Sequence, residues 1–160
     1  MIDVRKATPL DAKPMADLLN AIIAEGSATA LARPVTGADL SDWMQSPRSA
    51  WHVAESRTGE VLGFQWIEPA HYLPEEAAEI ASFVRIGKTG LGIGSALFLA
   101  TRKAAQRLGY AWINANIRAD NEGGLIYYQS RGFRDYDRWE GYRLESGAVV
   151  DKILKRYDLK

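Results

Sequence analysis

The chain has 160 residues, 47% of them hydrophobic and 25% charged, with twenty basic side chains balanced by twenty acidic ones. That length fits one domain with a substantial core, and a formal net charge of zero excludes a long-range field built for nucleic acid or an anionic membrane. With no cysteine and only two histidines, His52 and His71, the chain has no disulfide framework, no thiolate nucleophile and no imidazole metal cluster.

The opening residues Met1-Ile2-Asp3-Val4-Arg5-Lys6 lack the basic-then-apolar layout of a secretion signal. No apolar run approaches the roughly 20 residues that cross a bilayer. The expectation is a cytoplasmic protein that holds no metal and binds neither membrane nor nucleic acid.

Residues 2–7 alternate apolar and polar, the pattern of a half-buried strand. Thr8, Pro9 and Asp11 form a helix start, as cap, first helical position and first turn. Met15, Leu18, Leu19, Ile22 and Ile23 then recur at helical spacing, which predicts a helix over about residues 9–24, ended by Gly26. A second, short helix after Thr36 places Leu40, Trp43 and Met44 on one face.

Residues 51–55 and 61–67 read as strands joined by a hairpin turn at Gly59. Residues 68–76 form a loop with two prolines, and residues 77–86 a further strand. After a glycine-rich stretch, Ile93, Leu97, Ala100, Ala104 and Leu108 make the apolar stripe of a helix closed by Gly109. A strand over 111–117, a short helix over 122–131 and strands over 133–144 and 148–158 complete the order. No repeat, linker or low-complexity tract divides it, so residues 1–160 read as one α/β domain.

The stretch Val84 to Ser95 joins a strand to a helix and sets Gly90, Gly92 and Gly94 at the helix start. Glycines there let backbone approach a ligand, while free N–H groups and the helix dipole favour an anion such as a pyrophosphate. Gly87-Lys88-Thr89 imitates the end of a P-loop, yet that motif needs glycine where Ser82 stands. A dinucleotide fingerprint needs glycine where Ser95 stands. Gly90-x-Gly92-x-Gly94 remains.

A strand ending in Val84, followed eight residues on by Gly92-x-Gly94 and a helix, resembles the acetyl-CoA signature of the GNAT N-acetyltransferases. Thr89 stands where that family usually carries Gln or Arg. The resemblance implies a mixed, mostly antiparallel sheet flanked by helices. It also implies that main-chain amides of Thr89, Gly90, Leu91, Gly92, Ile93, Gly94 and Ser95 hold a pyrophosphate, and that the backbone of Phe83, Val84 and Arg85 pairs with the pantetheine arm as an added strand.

A second stretch, Asn121 to Phe133, is similar to the family's Asn, short helix, Tyr and Gly-Phe pattern. By that likeness Asn121 lies near the pantetheine, Tyr128 reaches the thioester sulfur, and Gly132-Phe133 is the helix exit. Adjacent helical residues face about 100° apart, so one of Tyr127 and Tyr128 is expected at the sulfur, and the spacing to Gly132 points to Tyr128. The opening strand and helix, Asn20 to Thr29, Thr36 to Trp43, Trp51 to Glu55 and Glu79 to Val84 look like the phosphinothricin-type branch. That branch acetylates amino acids and their analogues, often as dimers. Val149-Val150-Asp151 departs from its usual Trp-x-Asp.

The resemblance implies acetyl-CoA as co-substrate, a small-molecule primary amine as acceptor and a homodimer. Glu79 matches a branch carboxylate and is the candidate base, with Glu75 and Glu76 as alternatives. Tyr128 is the candidate acid, and the Val84 N–H the donor that polarises the acetyl carbonyl. His71 and Tyr72 are the candidate acceptor contacts, and Lys88, Arg102, Lys103 and Arg118 candidates for the CoA 3′-phosphate. A protein lysine or N-terminal acetyltransferase and a non-catalytic acyl-CoA-binding module are the alternative readings.

Overall fold

A computed structural model describes residues 2–26, 29 and 31–159. Strand β1 (Asp3–Lys6) leads into a 3-10 turn at Pro9–Asp11 and then helix α1 (Ala12–Glu25). The single helix expected from residue 9 is thus split. The Asp11 carboxylate accepts the Thr8 N–H at 2.8 Å and both Arg5 amino groups at 2.9 and 2.8 Å, and this tightens the first turn before α-helical spacing begins. Gly26 closes α1 with a left-handed φ of 92°. In the family-like segment Asn20 to Thr29, Ser27 and Ala28 lie outside the described residues.

Helix α2 (Gly37–Trp43) is capped by Thr36, whose hydroxyl accepts the Asp39 N–H at 3.1 Å. Strands β2 (Ala50–Glu55), β3 (Val61–Glu68) and β4 (Ala77–Val84) follow, then helix α3 (Ile93–Arg107), strand β5 (Trp112–Arg118), helix α4 (Glu122–Ser130) and strands β6 (Arg134–Arg143) and β7 (Val149–Asp158). The fourth strand ends two residues before the expected 86. Arg85 still donates its N–H to Leu62 O at 2.8 Å, but Gly87, with φ of 86°, then turns the chain.

The seven strands form one sheet in the order β1-β2-β3-β4-β5-β7-β6. Every pairing is antiparallel except that of β4 with β5. The α/β domain with a mixed, mostly antiparallel sheet is therefore as expected. Helix α1 covers one face, packing Met15, Leu19 and Ile22 over the aromatic slab of Trp51, Phe64, Trp66 and Phe83. Trp51 and Trp66 stack at 4.1 Å between ring centroids.

Helices α3 and α4 cover the other face, where Phe98, Ala105 and Tyr128 meet Ile80, Ile113 and Phe133. The apolar side of α3 is broader than the predicted stripe. Ile93, Leu97 and Ala104 are buried as expected, but Phe98, Thr101 and Ala105 join them, and Ala100 and Leu108 are only half-buried. A helix lying flat on a sheet buries two adjacent ridges, not a single seam.

The feature that positions the site is a fork. The parallel pairing of β4 and β5 runs only through Ala77–Trp112, Ala78–Ile113 and Glu79–Asn114. Beyond it, Ile80 to Val84 stay with β3, and Ala115 to Arg118 stay with β7.

Candidate active site

Main-chain groups on one wall of the fork follow from strand alternation. In an antiparallel pair, alternate residues turn their N–H and C=O to the same neighbour. Arg85 N–H donates to Leu62 O, and a Cβ built on Gly63 would lie 2.9 Å from Phe83 O. The peptide groups of Phe83 and Arg85 therefore face β3, whereas those of Ser82 and Val84 face the fork.

This corrects the expectation that Phe83 and Arg85 pair with an added strand. Of that trio Val84 alone is available, and Ser82 takes the place of the others. The Arg85 guanidinium is turned away too, donating to Val61 O at 2.9 and 2.6 Å. Phe83 instead contributes a buried ring to the aromatic slab.

At the mouth of the fork, Thr89, Gly90, Leu91, Gly92 and Ser95 are exposed. Gly92 is the cap of α3 with φ of 82°, a left-handed conformation that a side chain resists by about 1–2 kcal/mol. Beneath it Ile93 is 1% exposed and pins the turn to Leu97, Ala54 and Leu62. The first N–H groups of α3 lack intrahelical acceptors and carry the positive end of the dipole, so the turn suits a phosphate.

Gly94 has a different reason to be glycine. A Cβ there would meet Tyr127 Cε1 at 2.6 Å, and the Tyr127 hydroxyl donates to Gly94 O at 2.7 Å. Its small size admits a ring of this chain, not a ligand. Ser95 Oγ accepts from the Arg131 guanidinium. Asn121 caps α4, its Oδ1 accepting the Gly124 N–H at 3.0 Å, and a Cβ on Gly124 would stand 2.6 Å from Asn121 Nδ2.

Behind the turn, both phenols of α4 reach one polar cluster. Tyr128 Oη lies 2.7 Å from Ser82 Oγ. Gln65 Nε2 donates to Ser82 Oγ at 2.8 Å and to Tyr127 Oη at 3.0 Å. The two rings meet edge to face at 4.9 Å, so the roughly 100° between the residues is taken up by side-chain reach. Burial raises the Tyr128 pKa first, and the neighbouring Tyr127 adds to it. Tyr128 is therefore a phenol that keeps its proton. Neither Ser82 nor Gln65 was singled out from the sequence as a site residue.

On the opposite face of the sheet lies the carboxylate. Glu79 is three residues from Ser82, about 10 Å along the strand, and odd-numbered β4 residues face α1 while even-numbered ones face α3. Tyr72 donates to Glu79 Oε1. Asn114 Nδ2 and Asn116 Nδ2 donate to the same Tyr72 oxygen at 3.0 and 3.3 Å, and Tyr136 donates to Asn114 Oδ1.

Burial is the main cause that pushes the Glu79 carboxyl from 4.5 up to about 7, with Lys152 drawing it down and Glu68 pushing it up. A carboxyl near 7 is suited to accept and release protons at neutral pH. Tyr72 thus belongs to the cluster. His71 is exposed, its ring edge-to-face with that of Tyr72 at 5.8 Å between centroids. Glu75 and Glu76 are exposed and stand outside these contacts. Asn114 and Asn116 were missed, though two polar side chains on alternate positions of an apolar central strand mark one face as functional.

Of the cations considered for a 3′-phosphate, Arg118 is committed elsewhere. It bonds Asp120 at 2.9 and 2.8 Å and the carbonyls of Gly26 and Thr29 at 3.0 and 3.1 Å. Arg102 donates to Tyr157 Oη at 3.2 Å and lines one surface pocket with Ser95 and Arg131. Among the described residues, no group of three or more His, Asp or Glu is placed to hold a metal.

No protein-family model matches the chain. It is 32% identical over 112 residues to a mycothiol acetyltransferase of Paenarthrobacter aurescens, a match covering 64% of this chain and 34% of that protein. A mycothiol acetyltransferase of Renibacterium salmoninarum gives 30% over 107 residues, covering 62% and 31%. The chain thus matches about a third of the length of these curated relatives.

Among solved structures, an N-acetyltransferase from Staphylococcus aureus superposes with a TM-score of 0.90 at 24% identity, covering 100% of this chain and 99% of the other. A phosphinothricin acetyltransferase of the GNAT superfamily from Sinorhizobium meliloti, in complex with acetyl-CoA, gives 0.85 at 17%, covering 98% and 88%. The fold of this chain is that of the GNAT acetyltransferases.

Proposed function

We propose that this chain is an acetyl-CoA-dependent N-acetyltransferase of the phosphinothricin-like branch, acting on the primary amine of an amino acid or analogue. The observation that carries the reading is the fork between β4 and β5, with a phosphate-suited turn at its mouth, a protonated phenol on one face and a carboxyl near neutrality on the other. Acetyl-CoA fits it, because Ser82 and Val84 present main-chain groups beyond the last β4–β5 pair, on the side turned away from β3. When bound it supplies the thioester whose C–S bond breaks as the C–N bond to the amine forms.

The residues divide the remaining labour. Amides from Thr89 to Ser95 hold the pyrophosphate, Asn121 stands beside the pantetheine at the entrance of α4, and the Val84 N–H polarises the acetyl carbonyl. Glu79, directly or through water, takes the proton that the ammonium must lose before its nitrogen can attack. Tyr128 gives its proton to the departing sulfur, and the second proton shed by the acylated nitrogen returns the phenol to its neutral form. The support for these roles is position: Ser82 ties the Tyr128 hydroxyl to the fork, and Tyr72 orients Glu79.

The reading includes a homodimer in the cytoplasm. The cysteine-free sequence suits a reducing compartment, and the ten-residue edge strand β6 leaves nearly all its side chains exposed. Screening free amino acids, simple amines and peptides for release of free CoA tests the function. Turnover confined to small amines supports it. Turnover of peptides alone favours a protein acetyltransferase, and acetyl-CoA binding without any turnover favours a sensor. Light scattering in solution tests the dimer.

A further inference from the structure

Four cations lie on β5 and β7, and they are not treated alike. Arg118 has Asp120 at 2.8 Å, Arg156 has Asp158 at 2.7 Å, and the buried Lys155 has Asp135. Lys152, 6% exposed, has no carboxylate within ion-pair distance among the described residues. Its ammonium donates to Asn116 Oδ1 at 3.2 Å and lies 5.0 Å from the centre of the Tyr142 ring. Burial disfavours this ammonium and the charge of Glu79 favours it, and a buried cation whose direct contacts are a neutral amide and a ring gains from an anion within ion-pair distance.

Its position says what kind of anion. Asn116, which accepts from Lys152, also donates to the Tyr72 oxygen that serves Glu79. Lys152 and Glu79 therefore sit at the two ends of one chain of side-chain contacts, a cation and a proton acceptor separated by two polar groups. The rings of Tyr72, Trp139 and Tyr142 adjoin them, at 5.1 and 5.8 Å between successive centroids. An α-amino acid carries the complementary pair, an amine and a carboxylate one carbon apart.

Resting on the acetyltransferase reading above, we propose that Lys152, steered by Asn116, binds the carboxylate of an amino-acid acceptor and so directs its amine to Glu79. The substrate carboxylate completes the ion pair that the chain leaves open. The Tyr72, Trp139 and Tyr142 rings flank its side chain. Lys152 is then the residue that makes an amino acid a better acceptor than the corresponding simple amine.

The test is steady-state kinetics of wild type, Lys152→Met and Lys152→Arg on free amino acids, each paired with the amine left by removing its carboxyl group. Wild type is expected to prefer the acid of each pair. Lys152→Met should raise KM for the amino acids by about 10- to 100-fold more than for the amines, the scale of one lost charged hydrogen bond, with any upward shift of the Glu79 pH limb common to both, while Lys152→Arg keeps most of the preference. Equal losses on both members of a pair overturn the inference, because a merely structural lysine acts on both. An Arg variant as poor as the Met variant also overturns it, since arginine keeps the charge but cannot exchange a proton.

If wild type acetylates amines and no amino acid, the Lys152 inference falls and the acetyltransferase reading stands. If it acetylates nothing, that reading falls, and calorimetry with the same amino acids decides Lys152. Binding that weakens in Lys152→Met supports the anchor, and absent or equal binding rules it out. Unchanged acetyl-CoA binding by each variant shows that it has folded.

Discussion

At the residue scale the two proton-handling groups differ in what burial does to them. For Tyr128, burial and the adjacent Tyr127 hold the phenol in its neutral form, so it is an acid at every working pH. Tyr128→Phe keeps the ring and loses the proton; kcat is expected to fall about 100-fold with acetyl-CoA affinity little changed, and full turnover by the variant would remove Tyr128 from the chemistry.

For Glu79, burial raises the carboxyl to about 7, so kcat/KM should climb with a midpoint near pH 7. Glu79→Gln should flatten that limb and lower the rate by at least about 100-fold. The same shift has a cost in stability. The folded protein binds a proton between about pH 4.5 and 7 that the unfolded chain has released, so this contribution is present below 4.5 and lost as pH rises through 7. Glu79→Gln should therefore gain stability relative to wild type at pH 8, by at most about 3 kcal/mol, read as a difference in Tm between pH 8 and pH 4.

At the element scale the start of α3 joins two glycines with unlike duties. Gly92 is left-handed with open space around a would-be Cβ, whereas Gly94 is in contact with the Tyr127 ring. Gly94→Ala is expected to overpack that contact and cost about 1–3 kcal/mol, seen as a lower Tm. Gly92→Ala should cost about 1–2 kcal/mol through its φ and weaken acetyl-CoA binding more than Gly94→Ala does, because it distorts the amides at the mouth. Equal losses of affinity would mean that the turn does not hold the phosphates. The sequence shows three alternating glycines and cannot say which yields to a ligand and which to a ring, since Tyr127 lies 33 residues away along the chain.

At the scale of the whole molecule the fork is a missing piece of sheet. A ligand lying along β4 would take up the main-chain groups of Ser82 and Val84, and stabilise the fold by RT ln(1 + [L]/Kd), about 2.7 kcal/mol at a hundredfold excess over Kd. Saturating acetyl-CoA is therefore expected to raise Tm and to slow hydrogen exchange at the Ser82 and Val84 amides, leaving those of Phe83 and Arg85 unchanged, because these already face β3. Protection of all four alike would contradict the strand register.

Local chemistry determined much of this protein from its sequence alone. Periodicity, caps and turn glycines placed the elements to within a few residues, and two short signatures marked the turn before α3 and the α4 helix, because each depends on residues close in the chain. Tertiary structure decided the rest. Which peptide groups of β4 are free depends on its register with β3, and Ser82, Gln65, Asn114, Asn116 and Lys152 become neighbours of the candidate residues only when strands distant in sequence lie side by side. Which face a side chain shares, and with whom, is set by pairing across the sheet, and a linear pattern carries no record of it.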